Sequence, residues 1–232
     1  MAFALALALA LAACGGSDDQ PAPPPAPGAT PSTAPATTST RAPEEQITFD
    51  WVERPTLELP GGWTVSACEG EAPLACVTRD GEPVGFVEQL GFPVQTLPDV
   101  QEALDEGLDP EQVLRLFATD ELEALEEDRR AGCDPEYRVR PIGPAAAPVA
   151  GRPGLRYGFE GVDGAGAVVE RISKHALLTE EALFLVVASG LEPDGCLPAQ
   201  GEFRVGVLEE FEPQLARVVA GSRFLPPTEP GP

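Results

Sequence analysis

The sequence predicts an α+β domain over residues 46–226, an antiparallel sheet flanked by helices, and three observations carry that expectation. Two hairpin signals stand apart in the chain, one at Asp80-Gly81 and one across Val162–Gly166. One amphipathic helical stretch lies between them and another closes the domain. Ala182–Ala188 reads A-L-F-L-V-V-A, apolar on both faces, as a strand at the centre of a sheet must be when both sides are covered. Strands joined by short turns pair antiparallel, and the apolar helix stripes then need a sheet face to bury them.

In chain order, Leu57-Glu58-Leu59 alternates and runs through Pro60-Gly61-Gly62 into Trp63-Thr64-Val65, which reads as strand, turn, strand. Ala75–Arg79 and Val84–Leu90 flank Asp80-Gly81, where glycine supplies a positive φ at little cost. Asp109 is the expected N-cap of a helix with Pro110 at its first position and Gln112 where a capping box places it. Val113, Leu114, Phe117, Leu122 and Leu125 form its apolar stripe; Glu121, Glu123, Glu126, Glu127 and Asp128 populate the outer face. Arg129, Arg130 and Gly132 close it. Leu155–Glu160 and Val168–Leu177 make the second hairpin. A second helix starts near Pro213, uses Leu215, Val218 and Val219, and ends at Gly221. Phe203–Leu208 suits a strand or a helix equally. Trp63, Tyr137, Tyr157 and Phe159 are core residues by default, with a groove lining as the alternative.

The 232 residues carry a formal net charge of −23, most of it beyond residue 45. So negative a surface repels phosphate backbones and anionic headgroups, which excludes nucleic acid as a partner. Solubility is the plain reading of this charge and cation binding its rival. Lys174 is the one lysine among 15 basic residues and asparagine is absent. That bias fits a GC-rich genome and runs opposite to the lysine enrichment of hyperthermophiles.

Residues 1–13 read as a signal peptide. Ala2–Ala13 is an unbroken apolar run, too short for a helix across a ~30 Å bilayer core, and it ends in Leu11-Ala12-Ala13-Cys14. The run lacks a positive n-region, so the true start is expected upstream. Leu-Ala-Ala-Cys resembles the bacterial lipobox. That resemblance implies diacylglycerol on the Cys14 thiol, cleavage before Cys14 and acylation (palmitate or similar) of the new amine. Two or three chains anchor stably where one binds only marginally. Residues 14–45 then form a lipidated cysteine and a disordered Pro/Ala/Thr-rich linker, with eight prolines between Pro21 and Pro43. Fully extended at ~3.1 Å per residue, it reaches ~90 Å. Residues 227–232 are expected to be a disordered tail.

Cys68, Cys76, Cys133 and Cys196 remain, an even number in an exported chain, which points to two disulfides. Three pairings are possible; Cys68–Cys76 with Cys133–Cys196 is favoured because the first pair brackets a short Glu/Gly/Pro loop. Loop-closure entropy gives ~2.6 kcal/mol for the short loop and ~4.3 for the long one. A zinc site is the rival, but the sequence has no close C-x₂₋₄-C pair.

Strand-Pro60-Gly61-Gly62-Trp63 near the start, and Phe211, Leu215, Val218-Val219 and Ser222-Arg223-Phe224 at the end, resemble the PsbP/Mog1-like domain of bacterial cell-envelope lipoproteins. The resemblance implies an α/β/α sandwich and a binding, assembly or accessory role without catalysis. It carries no site residue across.

Catalytic chemistry is thin in this chain. His175 is the only histidine, so neither a two-His metal site nor a histidine relay can form. Ser173 and His175 share a strand face at i, i+2, a weak nucleophile–base hint without an orienting acid; a histidine at the solvent edge is the expectation. Glu209, Glu210 and Glu212 could pair as acid and base in a cleft. Asp105–Asp109 has a superficial likeness to a calcium loop but lacks its alternating ligands. No Walker, G-x-S-x-G, C-x-x-C or dinucleotide motif occurs, so no cofactor is expected. The leading expectation is a membrane-anchored, extracytoplasmic, non-catalytic domain binding an envelope protein, glycan or lipid. It would sit on the outer face of the cell membrane or, in a two-membrane envelope, in the periplasm or on the outer membrane. The alternatives are an extracytoplasmic hydrolase with paired carboxylates and a structural spacer.

Overall fold

The computed structural model describes residues 56–68, 74–193, 196 and 203–222. Eight strands form one sheet: β1 Leu57–Leu59, β2 Trp63–Ala67, β3 Leu74–Arg79, β4 Glu82–Pro93, β5 Arg138–Val149, β6 Arg152–Val162, β7 Val168–Leu178 and β8 Ala182–Leu191. Three helices accompany it: α1 Pro98–Asp105, α2 Pro110–Gly132 and α3 Val205–Ala220. The order across the sheet is β1-β2-β3-β4-β8-β7-β6-β5. Every neighbouring pair is antiparallel. The fold class is α+β.

The apolar Ala182–Leu191 run explains the layering. β8 lies between β4 and β7 and sends alternate side chains to opposite faces. Phe184, Val186 and Ala188 join Trp63, Val77, Phe203, Phe211 and Leu215 beneath α3. Leu183, Leu185 and Val187 join Phe117, Leu155, Tyr157 and Phe159 beneath α1 and α2. A period of two, apolar at every position, is what a two-sided core demands.

Both sequence hairpins form. Arg79 pairs with Glu82, leaving Asp80-Gly81 as a two-residue turn with both φ angles positive (53° and 86°). Asp109 caps α2 as expected, its Oδ1 accepting the Glu111 N–H at 2.8 Å.

Three elements depart from the sequence reading. Helix α1 has no counterpart in the sequence reading, because it is only eight residues long with few apolar positions. Asp105–Asp109 is its exit: Gly107, at φ 85°, donates to Leu104 O, and Leu108 N–H reaches Ala103 O. Those two bonds make a Schellman C-cap, which explains the glycine without a metal. Helix α3 begins eight residues before Pro213, which sits inside it. Its first N–H groups lack a local cap; Val205 N–H is accepted by Glu192 Oε1 at 3.1 Å, thirteen residues away. Strand β5, which carries Pro141, Pro144 and Pro148, has no counterpart in the sequence reading either. It is an edge strand, where proline is tolerated. The signal peptide, Cys14, the linker and the 227–232 tail lie outside the described residues.

Candidate functional site

Groups capable of chemistry gather in three places. The first is beneath α2. Glu121, expected on the outer face, is buried there instead, and its carboxylate accepts from Lys174 Nζ (2.5 Å) and the Tyr157 hydroxyl (2.6 Å). Elsewhere on the same face, Glu170 is 1% exposed. It takes a two-point guanidinium contact from Arg129 (Nη2–Oε1 2.8 Å, Nε–Oε2 3.1 Å) and the Tyr137 hydroxyl. Burial, then the neighbouring carboxylate, pushes both phenols above their ordinary range. Lys174, Tyr157, Glu170 and Arg129 are all inaccessible to substrate, so these clusters serve packing. The core reading of Trp63, Tyr137, Tyr157 and Phe159 holds for all four.

The second place is beneath α3, where Arg171, Ser173, His175 and Leu177 alternate inward from β7. Arg171 grips Glu212 (Nη2–Oε2 2.9 Å, Nε–Oε1 3.1 Å) and also reaches Glu160. Arg156 adds a second contact to Glu212 at 3.0 Å, and Arg140 one to Glu160 at 2.7 Å. His175 corrects its expectation: it is 3% exposed rather than at a solvent edge, because β7 is an inner strand. Burial foremost, then Arg156, lowers its pKa to about 4, against a smaller opposing pull from Glu212. Its Nδ1 and the Ser173 Oγ have no hydrogen-bond partner among the described residues. A buried, neutral histidine beside an enclosed serine cannot receive a substrate. The glutamates do not converge either: Glu210 pairs with Arg79 and Glu212 with two arginines, while Glu209 is exposed.

The third is the surface. An open groove of about 860 Å³ runs along the end of the sandwich, between the β5–β6 turn, the β7–β8 turn and the start of α2. Leu114, Leu178 and Phe184 form its floor; Arg152, Glu180 and Glu181 stand on its rim. A smaller hollow of about 390 Å³ lies beside Cys196, with Asp134, Glu136 and Asp163 around it. Among the described residues, no group of three or more His, Cys, Asp or Glu side chains is placed to hold a metal ion.

Sequence reasoning missed the buried ion pairs because their partners lie 41 and 53 residues apart. The signal was there in part: a lysine inside a strand of the sheet needs an anion beside it if its face is buried.

Cys68 and Cys76 lie at disulfide distance, with Cα atoms 5.0 Å apart, and Cys133 and Cys196 likewise at 5.3 Å. Among the described residues, no helix is long and apolar enough to cross a membrane.

No family model matches the chain, and no curated protein matches it. The chain is similar to cyanobacterial PsbP from Synechocystis sp. PCC 6803, known as a solution structure, with 13% identity over 72% of this chain and 84% of that one and a TM-score of 0.37.

Proposed function

We propose that the protein is a lipoprotein of the bacterial cell envelope, with residues 1–13 as its signal peptide and acyl chains on Cys14 as its membrane anchor. Residues 14–45 act as the tether, and the α+β domain over 46–226 binds an envelope protein, glycan or lipid without turning substrate over. The observation that carries this reading is the disposition of the cysteines. Four of the five lie in two pairs at bonding distance, a state favoured outside the reducing cytosol. The fifth, Cys14, stands in Leu-Ala-Ala-Cys, where a thiol is the nucleophile that lipid transfer needs. Binding is supported over catalysis because Ser173 and His175 are enclosed and Glu210 and Glu212 are held by arginines.

The full chain expressed in a lipoprotein-processing bacterium, fed a clickable palmitate analogue, tests the anchor. Wild type is expected to take up label and partition into the detergent phase. Cys14→Ala is expected to lose both and to retain an uncleaved N-terminus by mass spectrometry. Equal labelling and equal partition of the two proteins would refute the anchor.

A further inference from the structure

Strand β5 is the long open edge of the sheet. It has β6 on one side and no strand on the other, and all its residues but Val149 are exposed or half-buried. Its extended residues run about 40 Å, whereas β1 at the opposite edge has only three residues. An open edge of that length invites a further strand, from a second copy or an extended peptide, held by main-chain hydrogen bonds. Which N–H groups β5 can offer follows from its register. The turn into β6 is two residues long, so Val149↔Arg152 is a hydrogen-bonded pair, and bonded and non-bonded pairs alternate from there. Pro148↔Pro153 and Ala146↔Leu155 are therefore non-bonded, and Ala147↔Gly154 and Ala145↔Arg156 bonded. The alternation continues along β6 past the register shift between Ile142 and Ala145. There Ile142↔Gly158 and Arg140↔Glu160 are bonded, and Pro141↔Phe159 and Val139↔Gly161 are not. In a non-bonded pair each N–H points away from its partner, which for β5 is towards the open edge. The outward row is thus Val139, Pro141, Ala146 and Pro148, with Gly143 and Pro144 in the shift between them.

From this register we infer that β5 is a closed edge: Pro141 and Pro148 deny an incoming strand its donors, so neither a second copy of the chain nor an extended peptide adds to the sheet there. Proline has no N–H, and both prolines outside the shift fall on the outward row. None falls on the inward row, where it would break a ladder bond with β6. The outward donors left in the paired stretches are Val139 and Ala146, one on either side of the shift. A ladder needs N–H and C=O exchanged at each bonded pair, and two isolated donors cannot sustain one. Partners of the domain then meet its helices, turns or sheet faces and not its long edge. This inference goes beyond the binding role proposed above and holds whether or not Cys14 is acylated.

Sedimentation equilibrium of the full chain, in a detergent matched to the solvent density so that only protein is weighed, decides the matter. The wild type is expected to stay monomeric from micromolar to millimolar concentration. Pro141→Thr with Pro148→Thr restores the outward donors at two exposed positions with a residue that strands favour, and leaves the inward row untouched. This variant is expected to fold, by circular dichroism, and to dimerise as its concentration rises. Pro148→Thr alone is expected to do the same more weakly. Adding Ala146→Pro to the double variant takes a donor from the same row. It is expected to weaken the dimer at least about tenfold, the worth of one hydrogen bond lost from each copy. A folded double variant that stays monomeric at millimolar concentration would overturn the inference, as would a dimer indifferent to Ala146→Pro. So would wild-type Val139 and Ala146 amides that gain protection from hydrogen exchange as concentration rises.

Discussion

The two faces of this sheet handle charge differently. Beneath α2, two carboxylates are buried and each is answered by one cation and one phenol: Glu121 by Lys174 and Tyr157, Glu170 by Arg129 and Tyr137. Beneath α3, the centre is aromatic and aliphatic. Trp63 and Phe203 pack on Phe211 with centroids 5.0 and 5.3 Å away, and Arg79 lies over the Trp63 ring. The ion pairs there form a chain along the margin, Arg140–Glu160–Arg171–Glu212–Arg156, still in reach of water. Desolvation opposes a buried pair about as strongly as attraction favours it, so the α2-face pairs contribute little net stability while both partners stand. What they supply is position. Sliding α2 or β7 by one residue would strand a charge in the core. On the α3 face shape does the same work, as at Gly85, where a Cβ would sit 2.6 Å from the Phe203 ring.

The sharpest way to break this contrast is to remove one cation from each face. Lys174→Met leaves Glu121 buried with only the Tyr157 hydroxyl, and is expected to cost about 3–5 kcal/mol in urea unfolding. Arg171→Met leaves Glu212 to Arg156 and Glu160 to Arg140, both reachable by water. The expected loss there is about 1–2 kcal/mol. Lys174→Met combined with Glu121→Leu should recover most of the deficit, since no lone charge remains. Equal losses at the two sites, or no recovery in the double variant, would mean that the faces do not differ in the way described.

A second effect belongs to the α3 face alone. His175 titrates at about 4 in the folded chain against an ordinary 6.5, with burial as the main cause. Between those values the unfolded chain binds a proton that the folded chain refuses. Stability therefore falls as pH drops from 6.5 towards 4 and holds steady above 6.5 as far as this residue is concerned. The full span is worth about 3 kcal/mol. His175→Met is expected to flatten that part of the profile. The informative quantity is the difference between the two stability curves across pH 4–7, because the carboxylates contribute equally to both. Parallel curves would show that His175 meets water in the folded state.

How legible all this was depends on the range of the interaction. Asp80-Gly81, the Asp109-Pro110 cap and the Ala182–Ala188 run act within a few residues, and each was readable as a turn, a helix start and a central strand. The start of α3 was not, because Glu192 caps Val205 from thirteen residues away and nothing local announces it. Pro213 was read as the start of a helix and instead sits inside α3, where the tertiary context accommodates it. Glu121 was assigned to solvent because helical spacing cannot tell a charged outer face from a charge that meets a strand lysine. The cysteine pairs were readable because loop length and parity already narrow the choices.

The smallest expected effect lies where the sheet margin is tied to α3. The β5–β6 turn is Ala150-Gly151, with φ of 50° and 70°, the same two-residue geometry as Asp80-Gly81. Alanine in the left-handed region costs about 1–2 kcal/mol, while asparagine or aspartate tolerates it through local hydrogen bonding. The chain keeps this unfavourable residue at a point that matters, since Ala150 N–H donates to Val219 O and fastens the C-terminal turn of α3 to the sheet. Ala150→Asn keeps that N–H and relieves the backbone, so a gain of about 0.5–1 kcal/mol is expected, or about 1–4 °C in Tm for a domain of this size. Asp80→Ala makes the mirror-image control and should lose a similar amount. If Ala150→Asn instead lowered Tm while Asp80→Ala behaved as stated, the β5–β6 turn would differ in solution from its twin. The α3 face would then be held by its aromatic contacts and marginal ion pairs without this backbone tie.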